Sequence, residues 1–263
     1  MDSIKAQARA NGFTDFHFSF SGGEPTANKQ FLPLVEHYCN DTMPEYQSIH
    51  MTTNLSPGAK WWAKYIHNTK RLQRRSVTAS FHSEFANETQ FGDKCLQLIE
   101  GGVYVTINQV MVPEMFDDLY ERLERFAARG INVTLKPQSD PTASHVVHGY
   151  TEDQITTMRQ GFPQKWNGKE DPQVELYDKD GNKYYLDQAE RFNAFGFNKF
   201  KGWSCNAGYQ GIVIRDTEVK RSYSCHEQPI GTLTDFKIFD SPRPCVTPTC
   251  VSSADSKIPK RKI

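Results

Sequence analysis

Between residues 15 and 137 the chain repeats one unit: a short strand that alternates apolar with polar residues, a loop, and an amphipathic helix. The strands read DFHFSFS (15–21), IHMTTN (49–54), SVTASFH (76–82), VYVTINQVM (103–111) and INVTLKP (131–137). Helical spacing is clearest in Phe116, Leu119, Leu123 and Phe126, which share one apolar stripe. A helix between successive strands returns the chain to the same end of the sheet. The pairing is therefore parallel and the fold class α/β.

Parallel strands covered on both sides read as continuous apolar runs, but these alternate, and the two sets agree from strand to strand. One set is Phe16, Phe18, Phe20, Met51, Val77, Ala79, Phe81, Val105, Ile107, Val133 and Leu135, suited to packing beneath helices. The other is His17, Ser19, Ser21, His50, Thr52, Asn54, Thr78, Ser80, His82, Thr106, Asn108, Thr134 and Lys136. Polar groups on the same side of five strands predict a curved sheet, a partial (β/α) barrel, whose concave face is wet or filled by a polar ligand. An antiparallel sheet with one solvated face is the alternative, and it leaves the helices between strands unexplained. His17, His50 and His82 are candidates for acid–base or metal chemistry on the inner face, or else hydrogen-bonded lining groups.

Beyond residue 140 the repeat stops. Thr151 with Gln154 three positions on is a capping-box pattern that opens another helix. QVELYDKDGNKYYL then gives two strand-like runs around Asp180 and Gly181, a hairpin signal. A linker over 191–204 leads into a segment holding four of the six cysteines. Lys and Arg together number 31, as do Asp and Glu, so no net field draws the chain to nucleic acid or a membrane surface. No apolar run approaches the roughly 18 residues of a span, and MDSIKAQARANGF lacks a signal-peptide core. The expectation is a cytoplasmic protein. Six cysteines in that compartment point to metal or redox chemistry rather than disulfides.

The sharpest local feature is SFSGGEPT (19–26). Two glycines directly after a strand let the backbone turn with positive φ and let a ligand approach with no side chain in the way. Pro25 fixes the exit, a helix follows, and the corner lies where α/β folds bind ligands. Glu24 adds an acceptor that suits an ammonium group. A plain tight turn is the alternative.

This corner resembles the S-adenosylmethionine-binding motif of radical SAM enzymes, and TTN (52–54), SFH (80–82), TIN (106–108) and LKP (135–137) resemble later strands of that family's partial barrel. The resemblance implies that S-adenosylmethionine (SAM) lies along the carboxyl edge with its amino group at Gly22, Gly23, Glu24 and Pro25. It further implies Ser80 and Asn108 for the carboxylate and ribose and the neighbourhood of Lys136 for the adenine side. The implied reaction is reductive cleavage of SAM to a 5′-deoxyadenosyl radical that abstracts hydrogen from a substrate, with a reductant such as flavodoxin or ferredoxin. Members carry CxxxCxxC upstream of the glycine motif for a four-iron cluster, whereas no cysteine here precedes Cys39. The expectation is a chain that starts after the first strand and is inactive by itself, the radical SAM cluster requiring upstream sequence. A non-catalytic SAM-fold binding subunit is the other reading.

Cys205, Cys225, Cys245 and Cys250 bracket a hairpin and a short CVTPTC loop, and four thiolates so disposed can converge on one metal. The pattern resembles the SPASM or twitch extensions of radical SAM enzymes, which implies an auxiliary iron–sulfur cluster and a peptide or carbohydrate-like substrate. Closed tetrahedral zinc and unliganded thiols are the alternatives. The expected domains are 1–165, the partial barrel, and 166–263, a small β-rich auxiliary-cluster domain. Cys39 and Cys95 fall in helical patterns and read as buried packing residues.

Overall fold

The structure, a computed structural model, describes residues 1–40, 46–138, 149–163, 165–166, 169–170, 174–177, 183–186, 198–225 and 229–263. The turn expected at Asp180 and Gly181 and most of the 191–204 linker lie outside the described residues. The chain divides into two compact units. One comprises Met1, Thr14–Leu135 and Lys165–Asn167; the other comprises Asp2–Phe13, Lys136–Gln164 and Gly168–Ile263.

The first unit is built on a five-stranded parallel sheet whose spatial order follows chain order: β1 (Phe16–Phe20), β2 (Gln47–Thr53), β3 (Arg74–Ser80), β4 (Tyr104–Met111) and β5 (Asn132–Pro137). Each strand lies within two residues of its sequence reading. The four connections hold α2 (Phe31–Asn40), α3 (Ala59–Thr69), α4 (Glu88–Glu100) and α5 (Phe116–Ala128). Parallel crossovers are right-handed, and a strand order that never reverses puts successive helices on one side of the sheet. The other side is left to polar residues.

Burial follows that division. Ile49, Met51, Val77, Ala79, Val105, Ile107, Val133 and Leu135 are at most 1 % exposed, all on the helix side. On the inner side His50, Thr52, Ser76, Thr78 and Ser80 are half-buried, while His17 and Ser19 are exposed. Cover increases toward β4 and β5, where Tyr104, Thr106 and Thr134 are buried. Two aromatic groups fix the helices. Trp62 and Tyr65 of α3 are fully buried beside Trp61, which stacks on Phe31 of α2 at 6.3 Å. Phe81, directly after β3, meets Phe91 of α4 at 4.9 Å and Phe126 of α5 at 5.4 Å. Cys39 and Cys95 are buried in α2 and α4, as expected for packing residues, and burial raises the Cys95 thiol to about 12.

The second unit opens with α1 (Asp2–Ala10), the helix directly preceding β1 in sequence. The Gln7 amide donates to Phe236 O at 3.1 Å and accepts from Ile238 N–H at 2.8 Å, as a neighbouring strand would. Asn11 donates to Phe239 O at 2.7 Å, and Phe13 sits edge-on to Tyr209 at 4.9 Å. α6 (Glu152–Gln160) begins with the expected capping box, Thr151 Oγ1 accepting from Gln154 N–H and Gln154 Oε1 from Thr151 N–H. The short strand β7 (Lys169–Glu170) precedes the antiparallel pair β8 (Val174–Tyr177) and β9 (Lys183–Leu186), whereas β6 (Lys165–Trp166) belongs to the first unit.

A four-stranded antiparallel sheet follows, made of β11 (Val213–Arg215), β12 (Glu218–Lys220), β13 (Gly231–Thr232) and β14 (Asp235–Phe236). A three-stranded sheet places β10 (Ser204–Cys205) between β15 (Arg243–Pro244) and β16 (Lys260–Arg261), with the short helix α7 (Ser253–Ser256) before the last strand. No helix among the described residues is long and apolar enough to cross a membrane.

Phe126 joins α5 to both α4 and the end of β3, and it is 1 % exposed. Phe126→Ala is therefore expected to lower unfolding free energy by about 3–5 kcal/mol. Urea titration of the full chain measures it, and a loss below about 1 kcal/mol would mean the aromatic group does not carry the packing of the two helices.

Candidate functional site

The carboxyl edge of the sheet begins at the glycine corner. Gly22 and Gly23 both adopt positive φ, 90° and 58°, directly after β1. A Cβ at either position would meet nothing within 4 Å, so the requirement for glycine is conformational and the space beside the backbone is open. Pro25 then starts a single 3-10 turn, Pro25–Ala27, with Glu24 as its N-cap.

Glu24 is the centre of the corner's hydrogen bonding. Its Oε1 accepts from Thr26 N–H (3.0 Å), the Thr26 hydroxyl (2.6 Å) and the Thr53 hydroxyl (2.8 Å), while Oε2 accepts from Asn54 N–H (2.7 Å). The carboxylate thus ties the loop after β1 to the end of β2. Burial works against the charged form and is the largest influence. The hydrogen bonds, led by that from Asn54, outweigh it together and hold Glu24 below the ordinary glutamate range. The acceptor that sequence reading offered to a ligand's ammonium is thus engaged mainly within the protein, and its role is to set the shape of the corner.

The end of β2 is shaped in the same way. Leu55 is buried yet has φ 55°, a left-handed conformation costly for a bulky residue. Its N–H donates to Thr53 Oγ1, its carbonyl accepts from Lys94 Nζ at 2.8 Å, and Ser56 N–H donates to Asn54 Oδ1. Sequence reasoning took in Thr53 only as part of TTN (52–54) and missed Leu55 and Lys94. Strand alternation puts Thr53 on the helix side, and no local pattern announces a left-handed leucine.

Two strands further, Ser80 and Asn108 are register partners on β3 and β4. They face the inner side at the carboxyl end. Asn108 Oδ1 is buried with no hydrogen-bond partner among the described residues. An orphaned amide oxygen in a polar niche is what a ligand hydroxyl would satisfy. From the corner at β1 to Asn108 on β4 is three inter-strand steps, roughly 14 Å. Lys136 is half-buried on β5 and groups with the second unit.

In the second unit the four C-terminal cysteines come together. Cys205, Cys245 and Cys250 are buried in one cluster with Phe200 and Ala207, and Cys225 packs against it. Backbone bonds frame it: Gly202 N–H donates to Cys245 O, Cys245 N–H to Trp203 O, and Cys250 N–H to Asn198 O, each at 2.8 Å. Individual sulfurs have their own partners. Ala207 N–H donates to Cys205 Sγ, the Ser222 hydroxyl to Cys225 Sγ, and the Cys245 thiol to Thr247 O. Burial raises Cys245 and takes Cys250 up to about 11, so both are neutral thiols at pH 7. The donor chemistry suits a soft metal, but among the described residues no group of three or more His, Cys, Asp or Glu is set at metal-ligand geometry.

A carboxylate whose folded-state pKa is depressed contributes stability that is complete above the ordinary glutamate range and is lost as pH falls through the folded value. Glu24→Gln replaces an acceptor oxygen with a donor facing donors, and is expected to cost about 1–3 kcal/mol at pH 7. The difference from wild type should shrink as pH is lowered below about 4, the wild type losing its own advantage there. Thermal or urea unfolding across that range measures it, and a constant difference would exclude an ionised, hydrogen-bonded Glu24.

No family model and no curated protein matches this chain.

Proposed function

We propose that this chain carries the S-adenosylmethionine-binding part of a radical SAM enzyme, on a sheet that forms part of a (β/α) barrel. The observation that carries the reading is the corner after β1: two left-handed glycines with open space beside them, held in shape by a fully engaged Glu24. Bare backbone there suits the methionine amino group. Ser80 would take the carboxylate, and the unpartnered Oδ1 of Asn108 would accept from a ribose hydroxyl. SAM bound beside a reduced four-iron cluster supplies a 5′-deoxyadenosyl radical that removes a hydrogen atom from substrate. The thiolates for that cluster come from outside these residues in this reading, since Cys39 lies within α2 and is buried. The residues present bind and orient; the electron enters elsewhere.

The cysteine core of the second unit is the proposed auxiliary iron–sulfur site, with Cys205, Cys225, Cys245 and Cys250 as ligands once their side chains turn inward. The Cys245 thiol, which donates to Thr247 O, would have to give up its proton to act as a ligand, so metal uptake would release protons. A second reading, a non-catalytic SAM-fold binding subunit with a structural zinc or iron–sulfur site, is favoured by the lack of any cysteine beside the glycine corner.

Calorimetry of the full chain with SAM tests the corner. Wild type is expected to bind, and Gly23→Val, which forces a β-branched residue into positive φ, to weaken binding by about tenfold or more. Equal failure of both would remove the site. Anaerobic reconstitution with iron and sulfide tests the cysteines, with charge-transfer absorbance near 400 nm and about four irons per chain expected and both lost in Cys245→Ala. One zinc per chain with no such band would establish the structural-metal reading instead.

A further inference from the structure

The chain between β2 and α3 is latched by hydrogen bonds from neighbouring side chains. The Leu55 carbonyl accepts from Lys94 Nζ of α4 at 2.8 Å, the Pro57 carbonyl from the Trp62 indole N–H at 3.1 Å, and the Ala59 carbonyl from the Gln97 amide at 3.2 Å. Lys94 and Gln97 stand three positions apart, so one face of α4 supplies both of its donors. That helix is in turn anchored to α5, Glu88 pairing with Arg125 at 2.8 Å and Asp93 with Arg129 at 2.6 Å. The half-buried Lys94 thus reaches the end of β2 from a fixed base.

Of these three carbonyls, only that of Leu55 belongs to a residue in the left-handed region, with φ 55° and 1 % exposure. A bulky residue relaxes out of that conformation unless both of its peptide groups are held. Thr53 Oγ1 holds one, accepting from Leu55 N–H at 3.1 Å, and Lys94 holds the other. A hydrogen bond from an ammonium is worth about as much as the conformation costs, so loss of the ammonium is enough to release the residue. The consequence passes to the corner through two bonds. The Thr53 hydroxyl donates to Glu24 Oε1 at 2.8 Å, and Asn54 N–H, one residue before Leu55, donates to Glu24 Oε2 at 2.7 Å.

We infer that Lys94 is a positioning residue for the glycine corner. From α4 it keeps Leu55 left-handed, and through Thr53, Asn54 and Glu24 it keeps Gly22 and Gly23 in the shape that receives a ligand. The coupling is reciprocal: a ligand that favours this shape of the corner also tightens the contact between Lys94 and Leu55. Gln97 provides a matched control. It lies on the same face of the same helix and makes the same kind of bond, but to Ala59, the first residue of α3, so its loss leaves Leu55 held. Calling the ligand SAM rests on the reading proposed for the corner; the coupling from Lys94 to Glu24 does not.

Amide hydrogen exchange and calorimetry with SAM, both on the full chain, test this. Lys94→Met keeps the stem and removes the donor. The amides of Thr26, Asn54 and Leu55 are expected to exchange about tenfold faster in it, those of Val105 and Ile107 in β4 to be unchanged, and SAM to bind about tenfold more weakly. Lys94→Arg, which still carries a donor, should recover most of both effects, and Gln97→Met should show neither. Unchanged exchange at Thr26 and Asn54 in Lys94→Met overturns the coupling. So does faster exchange that extends through β4 or appears equally in Gln97→Met, since either marks a general loss of stability. Should Lys94→Met fail to fold by circular dichroism, Lys94→Gln, one bond shorter, carries the same comparison. If wild type fails to bind SAM while Lys94→Met still loosens the amides at the corner, the radical SAM reading falls and the coupling stands.

Discussion

Four hydrogen bonds converge on the carboxylate of Glu24, and the geometry of the whole carboxyl edge of β1 and β2 follows from them. Two consecutive glycines in positive φ are the least constrained backbone a loop can have. Left alone they would sample many conformations, and a ligand would have to order them on arrival. Glu24 removes that cost beforehand by capping the 3-10 turn on one side and holding Thr53 and Asn54 on the other. The arrangement is self-consistent: the same Thr53 hydroxyl that donates to Glu24 accepts from Leu55 N–H and helps keep that residue left-handed. Strain at β2 and freedom at β1 are balanced through one carboxylate.

Much of the fold was legible because period-two alternation is a strong signal when repeated. Five strands with the same face polar, separated by helical stripes, leave few arrangements, and the apolar set from Met51 to Leu135 is indeed the buried one. The carboxyl edge was legible only in outline. Two glycines after a strand announce a corner, but nothing local says that a threonine on the opposite face will hold the glutamate. Asn108 was readable as an inner-face residue; that its amide oxygen lacks a partner depends on what β3 and β5 do not offer, which no spacing encodes.

The placement of α1 illustrates a different limit. Gln7 of this nine-residue helix pairs with the backbone at Phe236 and Ile238, more than two hundred residues away. A single glutamine side chain satisfying both a carbonyl and an N–H leaves no compositional trace. The cysteines lie between these cases. Their clustering in the last quarter of the chain foreshadowed one shared core, but hydrogen bonds from Cys245 to Thr247 and from Ser222 to Cys225 decide the side-chain directions, and those are tertiary facts.

The inner face of the sheet changes in chemistry along the strand axis. At the carboxyl ends of β3 and β4 stand Ser80 and Asn108, with a bare backbone corner after β1. Lower on the face stand His17, His50 and Arg74, each beside a hydroxyl or an aromatic ring on the next strand. A parallel sheet in register makes such a gradient possible, because each rung is a row of neighbours at equal depth.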